Sequence, residues 1–308
     1  MQNFDELRRE AEEAKERLKR DVLELRDILK RIAQESGENG RVVAEASLKQ
    51  AEKRIEDAVL KAEKRFERAL AAVTGCSLSY DDFITQELDF KDFTNIEVDC
   101  AIRVEVVQSD NYRVSIWASQ ALQDYVSAAK SGHTLKLSLK SQSFSARPIV
   151  TAKIAMPQIN KLRLGGATNA TVRGFDSKES LNVNLSASST LEVETAASTI
   201  KCEISGASRL TGKVQVDDAD FVLSGASRVI LNGSAENVTL SAWGASKAEM
   251  EDLKLRDADV NLKGASEATI NVQGKLDIDL SSGSRLTYTG NPTINAISVT
   301  GASSLNHK

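Results

Sequence analysis

Cysteine and histidine are the residue types best suited to nucleophilic or metal chemistry, and this chain has few of either. Its three cysteines, Cys76, Cys100 and Cys202, form no CxxC pair, and its two histidines are His133 and His307. A zinc or thioredoxin-like site needs such residues at short spacing, and neither histidine is placed for a Ser-His-Asp triad. We therefore predict no metal, no cofactor and no catalytic constellation.

Clustered carboxylates could cleave a glycosidic bond, directly or through bound calcium. The dense acidic cluster is Asp217-Asp218-Ala219-Asp220. We place it in a connection between strands and interpret it as a solvated turn, because the neighbouring repeats supply few further ligands. A carbohydrate-active enzyme, a polysaccharide lyase or hydrolase, is kept as the alternative function.

Basic residues recur immediately after a Gly-Ala-Ser motif at Arg209, Arg228 and Lys247, followed by Glu267 and Arg285. If these positions stack on successive coils, the three cations stand about 5 Å apart and repel one another unless an anion or solvent screens them. The pattern favours a site for an anionic glycan or a phosphate-bearing surface polymer, and a solvated ridge flanked by acids is the alternative.

Trp243 precedes one of these motifs, at a position that is otherwise polar, so we expect its ring to point outward. An exposed indole can stack on a sugar ring, or it can cover its neighbours on the ridge. Trp243 joins Arg209, Arg228, Lys247 and Arg285 as a candidate ligand-binding residue.

A repeat of 18 to 20 residues must position these side chains. The motif Gly-Ala-Ser or a close variant recurs eight times, and such a period is typical of a solenoid in which each unit packs on its neighbours. The central residue of each copy is Ala or Gly, and we expect it to be small because opposing strands converge there. The eight central positions are 167, 187, 207, 226, 245, 265, 283 and 302.

Alternating polar and apolar residues flank each motif, as in Asp259-Val260-Asn261-Leu262, and indicate short strands with one buried face. The sequence therefore predicts a mainly β fold, a parallel β-helix of about 19 residues per coil, right-handed by the crossover rule. Equivalent inward residues form columns along the axis. One predicted column contains Val183, Cys202, Phe221, Val238, Val260 and Ile278.

The chain divides into two predicted domains near Gly75. Residues 76–308 form the β domain, with an opening set of strands at 76–160 and the β-helix coils at 161–308. A short helix is expected around Gln120 to Ser127. Residues 1–75 carry apolar residues at steps of three and four, which predict an antiparallel α-helical hairpin serving as a cap, spacer or oligomerisation element.

The charge balance limits the partners of this chain. Residues 1–75 hold 17 basic and 17 acidic residues, and the remainder carries the net charge of −4. Nucleic acid is excluded as a partner, because no part has the basic excess that a phosphate backbone requires. No apolar run is long enough to span a bilayer. We expect self-association through the helical hairpin or through the C-terminal coil, whose edges lack a cap.

Several strings in order carry a family resemblance: Phe90 to Ile96, Val104 to Val114, Met156 to Leu162, and the Gly-Ala-Ser turns. They resemble the putative auto-transporter adhesin, head GIN domain family of bacterial envelope proteins. The resemblance covers about Phe90 to Ser304. It implies an extracytoplasmic, non-enzymatic β-helix that acts in adhesion, with no catalytic residues to transfer.

The front of the chain departs from that family. Val73-Thr74-Gly75-Cys76 resembles a lipoprotein cleavage motif, yet the charged stretch Glu63 to Arg68 occupies the place of the apolar signal core. Without a working signal the chain as written is expected to be soluble and cytoplasmic, although its family is extracytoplasmic. A fusion of an engineered hairpin to the β-helix is a third interpretation.

Overall fold

The computed structural model describes residues 83–140 and 149–308, and it confirms the parallel β-helix. Each coil contributes one strand before a tight turn and one strand after it, and these two strands pair in parallel with their counterparts one coil away. The predicted hairpin at residues 1–75 and the lipoprotein-like motif lie outside the described residues. The strands are β1 (Phe83–Leu88), β2 (Asn95–Val98), β3 (Arg103–Gln108), β4 (Arg113–Ser119), β5 (Val126–Ser131), β6 (Thr134–Leu139), β7 (Val150–Met156), β8 (Lys161–Leu164), β9 (Asn169–Asp176), β10 (Ser180–Leu185), β11 (Thr190–Ile204), β12 (Arg209–Leu223), β13 (Arg228–Ala242), β14 (Lys247–Leu262), β15 (Glu267–Val272), β16 (Lys275–Leu280), β17 (Arg285–Thr289), β18 (Thr293–Val299) and β19 (Ser304–His307).

Two parallel sheets enclose the core. The pre-turn sheet runs through β6, β2, β8 and β10, then the second halves of β11 to β14, and ends with β16 and β18. The post-turn sheet runs through β7, β3 and β9, then the first halves of β11 to β14, and ends with β15, β17 and β19. Apolar side chains alternate inward along the strands at the centre of both sheets, as in β10 and β15, which is why the period of two in the sequence predicts the buried face.

The predicted inward column is correct except at one coil. Val183, Cys202 and Phe221 lie in register, but the next member is Leu240 and not Val238. Val238 pairs instead with Ala219, two residues earlier in the strand. It lies close to the bend, here called the second corner of the coil, where β13 passes from the post-turn sheet into the pre-turn sheet. All of these side chains are buried, so the interior is filled by side chains.

Nine stacked corner turns join the two sheets within residues 83–140 and 149–308. The central two residues of each turn have positive φ, for example Gly206 (62°) and Ala207 (59°). The amide of the second central residue donates to the carbonyl of the first central residue one coil further on, as from Ala207 to Gly225 at 2.8 Å. A ladder of such bonds therefore runs from coil to coil along the corner.

The prediction that converging strands require the small alanine of each turn is wrong. Ala207 is exposed, and its size is constrained by the left-handed backbone, which disfavours larger or branched side chains. The buried residue of the turn is the one that follows, such as Ser227, whose hydroxyl donates to the carbonyl of Ser224 at 2.7 Å. At position 187 the predicted centre is one residue early, because Ser188 is the residue aligned with Ala207.

The first part of the solenoid is closed by antiparallel strands. β4 pairs antiparallel with β7, and β5 pairs antiparallel with β6. A 3-10 helix at Gln120–Tyr125 connects β4 to β5, close to where the sequence predicted a helix. Within the described residues, no helix is long and apolar enough to cross a membrane.

The last coil differs from the others because its inward side chains are uncovered. In β18, Ile294, Ile297 and Val299 align with the buried Leu276, Ile278 and Leu280, yet they are 40%, 57% and 40% exposed. All seven residues of β18 are exposed.

Candidate functional site

The structure brings three of the predicted cations together in one row. Arg209, Arg228 and Lys247 occupy the first position of β12, β13 and β14 and are direct neighbours in the strand register. Glu267 follows on the next coil, and Arg285 follows Glu267. We call these five residues the cationic row.

Glu249 supplies the screening that the stacked cations need. It sits two residues after Lys247 on the same outward face, and both of its oxygens accept from Arg228 at 2.6 Å. Lys247 lies 2.9 Å from the same carboxylate. The hydrogen bond from Arg228, followed by that from Lys247, lowers the pKa of Glu249 below its ordinary value.

The two ends of the cationic row differ. Glu267 lies between Lys247 (3.8 Å) and Arg285 (3.3 Å), so the far end is also paired. Within the described residues, Arg209 has no carboxylate oxygen within 4.0 Å, and its side chain is exposed beside Thr190. Arg209 is therefore the cation of the row that is available to an external anion.

Trp243 is separated from the cationic row by the turn. It is 46% exposed, as the sequence predicted, and lies on the pre-turn side of the corner, whereas Lys247 lies on the post-turn side. Its carbonyl accepts from the buried hydroxyl of Ser246 at 2.9 Å, which fixes the backbone there. The indole is thus presented at the ridge on a rigid turn.

A groove of about 340 Å³ borders the row at Lys247. It arises from a bulge in β14 between Glu249 and Lys254, where the strand register shifts. Between paired positions, β14 has one residue more than β13 and three more than β15. The bulge projects Glu251 and Asp252 beside Glu249. Sequence reasoning missed this groove, because the extra residues are absorbed within the normal variation of the repeat length.

The sequence predicted that the acidic cluster lies in a connection between strands, and this prediction is wrong. Asp217, Asp218 and Asp220 belong to β12, which continues unbroken through the second corner of the coil. Asp218 accepts from the amide of Asn237 on the next coil at 2.8 Å. Within the residues that the structure describes, no group of three His, Cys, Asp or Glu side chains is placed to hold a metal ion.

Cys202 is a core residue, and its burial raises the pKa of the thiol well above the ordinary value. Cys100, in the first corner turn, is exposed. We expect iodoacetamide at neutral pH to modify Cys100 within minutes and to leave Cys202 unmodified until the coil unfolds. Peptide mass spectrometry measures both, and equal rates at the two cysteines would contradict the packing described for Cys202.

Stacked coils with a filled interior and ordered outer rows define a β-solenoid whose distinguishing chemistry lies on its outer surface. The profile of the family described as putative auto-transporter adhesin, head GIN domain, matches residues 92–292. The chain belongs to this family.

Solved structures show the same fold at low sequence identity. A crystal structure of a putative lipid binding protein from Parabacteroides distasonis ATCC 8503 is similar with a TM-score of 0.67 and 21% identity, over 74% of this chain and 98% of that one. A putative adhesin from Parabacteroides merdae ATCC 43184 is similar with a TM-score of 0.66 and 15% identity, over 74% and 97%. A putative adhesin from Parabacteroides distasonis ATCC 8503 has a TM-score of 0.66 and 14% identity, over 73% and 97%. No curated protein matches the chain.

Proposed function

We propose that this chain is a non-enzymatic, adhesin-like binding module that acts outside the cytoplasm and contacts an anionic glycan or surface polymer. The observation that carries the proposal is Arg209, which is exposed and has no carboxylate partner among the described residues, at the end of a row of cations held in register by the solenoid. Membership of the adhesin family supports both the non-enzymatic role and the location.

The contact surface extends from Arg209 toward the first coils. Thr190 and Asn169 precede Arg209 in the same register and offer a hydroxyl and an amide beside its guanidinium. On the other side, the groove carries Glu249, Glu251 and Asp252, which repel an anion. An anionic polymer therefore binds along the first part of the row. Arg228 contributes the part of its positive charge that Glu249 does not neutralise.

Retention on a heparin column tests this contact, with heparin as the anionic polymer. The triple variant Arg209→Ser, Arg228→Ser, Lys247→Ser is expected to elute at lower salt than the wild type. The attraction between exposed cations and heparin is strongest at low ionic strength, and the variant loses three of these cations. Arg209→Ser alone should cause most of the loss, a weakening of up to about fivefold, as expected for one exposed charge contact.

A charge-matched control separates the site from the net charge. Lys161, Lys178 and Lys201 are exposed and lie away from the cationic row, so their replacement by serine removes the same charge elsewhere. The control should elute near the wild type. Equal shifts for the two triple variants, or no shift for the first, would overturn the assignment of this surface.

A further inference from the structure

We infer that two copies of this chain join end to end through the last coil, with β18 and β19 each pairing antiparallel with the same strand of the partner. The described pairings give β18 a neighbour on one side, β16, and give β19 a neighbour on one side, β17. The outer edges of both sheets therefore present free amides and carbonyls at the same end of the solenoid. The inference is independent of any anionic ligand.

The end of the core is apolar as well as open. Ile294, Ile297 and Val299 continue the inward columns of the preceding coils, and Leu305 continues the column of the buried Leu286. The three β18 side chains are 40% to 57% exposed, because no strand among the described residues packs over them on the side away from β16. A second copy supplies that layer with the same four residues, since its own last coil ends the same columns.

Charge protects exposed sheet edges against pairing, and the last coil lacks it. Residues 286–307 contain no Asp, Glu, Lys or Arg, whereas residues 247–285 contain fourteen. The next charged side chain, Lys308, is turned back to Glu251 on an earlier coil, with its Nζ at 2.6 Å from the carboxylate. Charged residues on an edge strand normally prevent association, and an uncharged edge permits it.

Symmetry favours the same end of a second copy as the occupant. A two-fold axis perpendicular to the sheets places β18 against β18 and β19 against β19, keeps inward faces inward, and closes after two copies. The opposite end of the solenoid carries antiparallel strands β4 and β5, so it does not present the same edges. The assembly is therefore a closed dimer and not a filament.

The size of the contact sets its strength. A seven-residue strand about 23 Å long and two sheets about 10 Å apart give an end face of roughly 230 Å² per copy. This is below the roughly 800 Å² per partner of a standard interface, so association should depend on concentration.

Sedimentation velocity of the full chain, from micromolar to near-millimolar concentration, tests the inference. The wild type should shift from monomer to dimer. Ile297→Lys should stay monomeric at every concentration, because it places a charge in the centre of the contact. Ile84→Lys is the matched control: Ile84 lies in β1, is 43% exposed and should leave the dimer unchanged.

Three results would overturn the inference: a wild type that stays monomeric, a dimer that survives Ile297→Lys, or a dimer lost equally in both variants. Binding of the monomer to phosphatidylcholine vesicles, lost in Ile297→Lys, would also overturn it and assign the apolar end to lipid. If circular dichroism shows that Ile297→Lys is unfolded, Val299→Lys replaces it with the same expected outcomes.

Discussion

Replacing Gly233 with alanine is expected to destabilise the central coils strongly. Gly233 has a φ of 116°, a backbone conformation that L-residues rarely adopt, and it lies in register with Val214 in the post-turn sheet. A β-carbon built at Gly233 would stand 2.0 Å from the carbonyl oxygen of Val214. Because that obstacle is backbone, relief requires the two strands to separate locally.

The expected cost of Gly233→Ala is about 3 kcal/mol or more in the free energy of unfolding. Chemical denaturation followed by circular dichroism measures it. Gly283→Ala is the control: a β-carbon there meets nothing within 4 Å, and the aligned residues of the adjacent coils, Ala265 and Ala302, already adopt the same backbone conformation as alanine. We expect Gly283→Ala to cost only the backbone penalty of a left-handed alanine, about 1 to 2 kcal/mol. Similar losses in both variants would show that the close contact between Gly233 and the backbone of Val214 is not what makes Gly233→Ala destabilising.

Phe221→Ala is expected to destabilise the β-helix by about 3 to 5 kcal/mol, because it removes a fully buried ring from a close-packed core. Phe221 is 0% exposed and stacks between Cys202 and Leu240 in the inward column. The cavity cannot be filled easily, since the flanking side chains are held by the register of their own strands. Thermal denaturation monitored by circular dichroism gives the loss.

Trp243→Ala is the matched aromatic truncation on the surface. It should cost much less, because the indole is 46% exposed. Hydrogen exchange adds a second readout: in a solenoid each coil contacts its neighbours, so Phe221→Ala should lower amide protection first in β11, β12 and β13. A uniform loss of protection over all coils would contradict this local behaviour.

The sequence predicted the fold because every coil repeats one physical requirement. Two left-handed residues recur at each corner, and a small buried hydroxyl follows them at most corners; Gly-Ala-Ser meets that requirement with residues that are easily recognised. The first corner, Asp99 to Ile102, was missed because Cys100 and Ala101 adopt the same conformation without a glycine. Local backbone geometry can be shared by residues that share no sequence signature.

The candidate site was predicted in part. The repeat placed Arg209, Arg228 and Lys247 in one row, and the register confirms it. The neutralising role of Glu249 was not anticipated, because it depends on contacts between two neighbouring rows and not within one. Glu249 is 21 residues from Arg228 in sequence, and only the directions of the two side chains show that they meet.

The unbroken register of the corner turns makes the length of this protein adjustable in whole units. Ser208 and Ser227 occupy the same place on adjacent coils, so deletion or duplication of residues 209–227 would rejoin equivalent backbone positions. Each such event would shorten or extend the rod by about 4.8 Å. Gene duplication would thus change the length of the solenoid while each new coil keeps the backbone pairing of the coils beside it.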